Sequence, residues 1–69
     1  MNTFDKLMIN LINRTLQIYN EIEKMQYDIS MLARIHNDES LKIATQTLAE
    51  LKVKVRDIAY IIRDFWVKH

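Results

Sequence analysis

The sequence predicts an all-α protein: two long antiparallel helices joined by one tight turn, coiled-coil-like and completed by association with a partner chain or a second copy. Three observations predict it. Glycine and proline are absent, two apolar stripes run at helical spacing, and the stripes are out of phase by one residue. Without either breaker, long helices are unobstructed, while the tight turns a small sheet protein needs become improbable. Sixty-nine residues allow one helical-hairpin domain, residues 1–69, near the size where a single core is only marginally stable.

The first stripe starts at Phe4 and steps by four and three through Met8, Leu11, Thr15, Ile18, Ile22, Met25, Ile29, Leu32 and His36. Such a heptad-like seam marks a helix laid along another helix. Thr15 is its one internal polar position, a candidate register device. Asn2 is placed to cap the start, and Asp5 falls in the first turn, where the helix dipole favours negative charge. A helix over about 3–36 follows.

The second stripe runs Leu41, Ala44, Leu48, Leu51, Val55, Ile58, Ile62, Phe65, His69, giving a helix over about 39–68. Glu50–Lys54 and Asp64–Lys68 have the acid-then-base order that supports a helix at i,i+4. One continuous helix is the competing reading, and phase decides against it. Extending the first seam places apolar positions at 40, 43 and 47, whereas they stand at 41, 44 and 48. That slip rotates the apolar face by about 100°. It coincides with Asn37-Asp38-Glu39-Ser40, where Asn37 can take the left-handed conformation and Asp38 or Ser40 can cap the next helix. A turn is therefore expected at 37–40, and the matched helix lengths imply an antiparallel hairpin.

Function classes narrow by chemistry. Hydrophobic residues make up 49% and charged residues 28%, a globular balance. Ten Lys/Arg against nine Asp/Glu leave a formal charge of +1, too even for a protein whose main work is gripping phosphate backbones. With no cysteine, a disulfide scaffold and a thiolate zinc site are excluded. No apolar run is long enough for a membrane span, and polar residues interrupt the N-terminal segment, so no signal peptide is expected. His36 and His69 stand alone, one at the turn and one at the last residue, without metal or general-base spacing. Glu21, Glu23, Asp57 and Asp64 read as solvated faces. No catalytic, metal or cofactor-binding residue is expected, and no cofactor; the chain reads as a non-enzyme.

The apolar content exceeds what the seams use. Ile9, Ile12, Leu16 and Tyr19 form an extra row in the first half of the first helix. On the second helix Val53, Tyr60 and Val67 lie opposite its seam, with Ile61 and Trp66 flanking it. In a hairpin these rows gather at the end away from the turn. All nine are expected to bind a protein partner, with Tyr19, Tyr60 and Trp66 as anchors. Self-association into a four-helix bundle and a dedicated heterologous partner both fit. Lys42, Arg56 and Arg63 share one row and suggest a Rop-like RNA-binding dimer, but Glu50, Asp57 and Asp64 in the next row would repel phosphate.

The polar head Met1-Asn2-Thr3-Phe4-Asp5-Lys6-Leu7, the polar turn near residue 38, and the closing stretch Asp57-Ile58-Ala59-Tyr60-Ile61-Ile62-Arg63-Asp64-Phe65 together resemble one family. It is that of the small helical-hairpin co-chaperones of type III secretion systems, which help hold the needle subunit in the bacterial cytosol before export. The resemblance implies a cytoplasmic heterocomplex with a larger tetratricopeptide-like chaperone and, through it, the needle subunit.

Overall fold

The computed structural model describes residues 2–69; Met1, the first residue of the expected domain, lies outside the described residues. Two helices account for nearly all of them: α1, Thr3–His36, and α2, Glu39–Lys68. The molecule is 51 Å long and 16 × 10 Å across. A 34-residue helix is about 51 Å long at 1.5 Å per residue, so the hairpin is as long as its longer arm.

The termini follow the local chemistry. The Asn2 side-chain oxygen accepts a hydrogen bond from the Asp5 amide at 2.8 Å and caps α1. At the other end Asn37 sits at φ 45°, ψ 50°, the left-handed conformation that lets its amide bond back to the Ala33 carbonyl at 2.8 Å. Asp38 then caps α2, its carboxylate accepting from the Ser40 amide at 2.8 Å and from the Ser40 hydroxyl at 2.6 Å. These two bonds hold the Asp38 carboxyl below its usual pKa. The irregular turn is thus only Asn37-Asp38; Glu39 and Ser40, where the expected turn and the expected helix overlapped, belong to the first turn of α2, which begins at the expected residue 39.

The packing corrects the seam. Met8, Thr15, Ile22 and Ile29 on α1, with Leu41, Leu48, Val55 and Ile62 on α2, are the less exposed rows and lie where the spacing puts them. Ile22 is 3% exposed, and Thr15 and Val55 are each 8% exposed. The second row is shifted by one residue on both helices. The contact is completed by Asp5, Ile12, Tyr19, Gln26 and Ala33 with Thr45, Lys52, Ala59 and Trp66, all half-buried. Leu11, Ile18, Met25 and Leu32, with Leu51, Ile58 and Phe65, are left between 39% and 52% exposed.

The physical reason lies in what the shifted row can do. Ala33, Thr45 and Ala59 are small enough for close helix approach. Asp5, Gln26, Lys52 and Trp66 reach across it to one another or to backbone, bonds the aliphatic row could not make.

Candidate protein-binding face

The hairpin has two unlike faces. On the closed face the helices are tied together by polar side chains. Trp66 Nε1 donates to Asp5 Oδ1 at 2.9 Å, and Gln26 Nε2 donates to the Thr45 carbonyl at 3.4 Å. Lys52 donates to Gln26 Oε1 at 3.2 Å, lies 3.6 Å from Glu23, and sits 5.5 Å above the Tyr19 ring. Farther out, the Tyr60 ring carries the Arg56 and Arg63 guanidinium groups at 5.9 and 5.0 Å.

On the open face the facing rows are apolar. Phe4, Leu11, Ile18, Met25 and Leu32 descend α1, and Ala44, Leu51, Ile58 and Phe65 ascend α2 beside them. Two observations put both rows on the same side. The Phe4 and Phe65 rings meet at 6.1 Å, and one shallow groove is lined by Ile18, Ile22 and Met25 together with Leu51. His69 closes the end of the strip, its ring 4.4 Å from that of Phe65. Arg14, Gln17 and Glu21 border the groove on α1, while Glu50 and Lys54 follow on the outer edge of α2.

The nine residues expected at an interface do not form one patch. Ile12, Tyr19 and Trp66 are half-buried inside the hairpin contact and Ile9 is half-buried at its margin, so two of the three expected anchors already serve the fold. Leu16 and Tyr60 flank a groove of the closed face floored by Thr15, Val55 and Ala59. Val53 lies on the outer side of α2, where it lines a shallow groove with Glu50, Lys54 and Asp57. Ile61 and Val67 are 66% and 80% exposed, with Ile61 turned away from the Leu16–Tyr60 groove. The strip that sequence reasoning placed inside is a long apolar surface left outside. Its signal was already present: each helix offers two candidate second rows, and the more apolar one on each is the one a lone hairpin leaves open.

Among the described residues, no cluster of three or more His, Cys, Asp and Glu side chains is placed to hold a metal ion. Arg56 and Arg63, the row considered for RNA, lie 3.5 and 3.4 Å from Asp57 and Asp64 and share their charge with them. No helix of the described residues is long and apolar enough to cross a membrane. In comparisons with known proteins, no family model, no curated protein and no solved structure matches this chain.

Proposed function

We propose that this chain is a non-enzymatic protein-binding module, a helical hairpin that works by seating another helical surface on its open face. The exposed strip of Leu11, Ile18, Met25, Leu32, Leu51, Ile58 and Phe65, with half-buried Phe4 and Ala44 at its ends, carries this reading. A surface on which an apolar heptad row stays near half exposed resembles a domain core cut in two, as interfaces of permanent complexes do.

The resemblance to type III secretion co-chaperones gives the proposal its specific form. The hairpin would act in the bacterial cytosol, stabilising a complex of a tetratricopeptide-like chaperone with the needle subunit. The smaller closed-face patch around Leu16 and Tyr60 would be free for that chaperone. Length, layout and apolar pattern support this form.

The natural lack of cysteine allows a direct test. A cysteine at Ile18 (Ile18→Cys) should resist a thiol reagent in the cells that make the protein, while one at the outward-facing Asn13 (Asn13→Cys) reacts freely. Equal reactivity would remove the open face as a binding surface. For the co-chaperone form, co-expression with a tetratricopeptide-like chaperone from a secretion gene cluster should give a stable complex; its absence would end that form alone.

A further inference from the structure

We propose that the open face is occupied by a second copy of this chain, turned over about a two-fold axis level with Ile18, so that α1 lies against α1 and α2 against α2. This rests on the reading of that face as a protein interface and names its occupant.

Area sets the scale. The hairpin exposes 5508 Å², whereas a compact monomer of its 8.3 kDa mass would expose about 4,600 Å². The excess, about 900 Å², is close to the ~800 Å² each partner gives up in a standard interface. One partner of this size completes the fold.

Charge and symmetry select a like chain. Arg14, Glu50 and Lys54 have no ion-pair partner within the hairpin among the described residues, and Glu21 meets only the exposed Lys24, at 3.2 Å. The expected Glu50–Lys54 pair is not formed. Two-fold rotation at the level of Ile18 sets Arg14 opposite Glu21 of the second copy on one edge, and Lys54 opposite Glu50 of the second copy on the other. Each pair fixes its own axis height, between Gln17 and Ile18 for the first and at Lys52 for the second. The Asp5–Trp66 and Gln26–Thr45 bonds place Ile18 level with Val53, so the two heights agree to within about 2 Å at 1.5 Å rise per residue.

Ile18 is also the midpoint of the strip from Phe4 to Leu32, so this axis overlaps the strip along its whole length. The alternative two-fold, along the bundle, keeps each residue at its own height and brings Glu21 against Glu50 of the second copy. Rim charges contribute little affinity, but they decide between arrangements whose apolar contacts are alike. A heterologous chaperone on the Leu16–Tyr60 patch would leave this contact intact.

The purified chain should sediment at twice 8.3 kDa. Ile18→Cys should oxidise to a disulfide-linked dimer, and chains carrying Leu11→Cys and Met25→Cys should cross-link to each other when mixed. Arg14→Glu should raise the dimer dissociation constant roughly tenfold, by turning two attractions into repulsions, and Arg14→Glu with Glu21→Arg should restore it. A monomer at every concentration overturns the proposal. So does cross-linking of Ile18→Cys to Leu51→Cys chains in preference to itself. If the purified chain is monomeric while Ile18→Cys stays protected in cells, the face still binds protein and only its occupant has been misnamed.

Discussion

The two faces of the hairpin carry the same helices and the same heptad spacing, yet they do opposite things. The closed face contains Asp5, Gln26 and Lys52, polar residues that a sequence pattern would send to solvent, and they are half-buried because each finds a partner across the groove. The open face contains leucines, isoleucines and Phe65 that the same pattern would send inward, and they stay exposed. Two helices can enclose only a narrow strip. Where a second row must be chosen, the row able to form hydrogen bonds across the pair is taken up by the hairpin itself. The row with only apolar area to offer is left for a third surface, since apolar burial needs no particular partner geometry.

That contrast can be broken at its strongest point first. Ile22→Ala, at the least exposed side chain of the contact, should cost about 2–5 kcal/mol in chemical unfolding. Ile58→Ala, half exposed in the single hairpin, should cost well under half of that once the protein is dilute enough to be monomeric. Equal losses would show that the open face is not open.

The closed face is sharpened by its hydrogen bond. Trp66→Phe keeps an aromatic ring but removes the indole N–H that donates to Asp5 together with part of the ring system, and should cost about 1–3 kcal/mol. Because Trp66 is the only tryptophan, Asp5→Ala can be followed by fluorescence and should shift the emission. An unchanged spectrum would mean the tie is absent in solution. Lys52→Met retains most of the stem that covers Tyr19 and removes the charge; the loss should be about 0.5–1 kcal/mol and should shrink in high salt.

The turn gives the smallest effect and a defined sign. Since its two bonds depress the folded pKa of Asp38 below the ordinary 3.8, its contribution is complete above that value and is lost as pH falls through the lower folded pKa. Helical circular dichroism should show a small acid-dependent step below pH 3.8 that Asp38→Ala removes.

Much of this fold was legible because its determinants are local. The cap at Asn2, the left-handed Asn37, the cap at Asp38 and both helix lengths depend on residues within a turn of each other, and the phase slip marks the hairpin without any tertiary information. The rows Met8–Ile29 and Leu41–Ile62 were legible too, since they lie at the centre of the apolar stripe whichever way the helices roll. The roll itself was not. It depends on whether Lys52 reaches Gln26 and Trp66 reaches Asp5 across 26 and 61 residues of sequence, which periodicity cannot express. Tyr19 and Trp66 were therefore read as free anchors when the hairpin uses them, and Leu11, Ile18 and Met25 as core when the hairpin leaves them out.

Ile58 and Tyr60 decide the central claim. They stand two residues apart on α2, are 50% and 48% exposed, and face opposite sides of the hairpin. Sedimentation equilibrium on purified Ile58→Glu and Tyr60→Glu, with helical content checked for each, compares the faces at matched exposure. Ile58→Glu should sediment as a monomer while Tyr60→Glu associates as the natural chain does. Association lost with Tyr60→Glu and retained with Ile58→Glu would contradict the account and place the interface on the closed face.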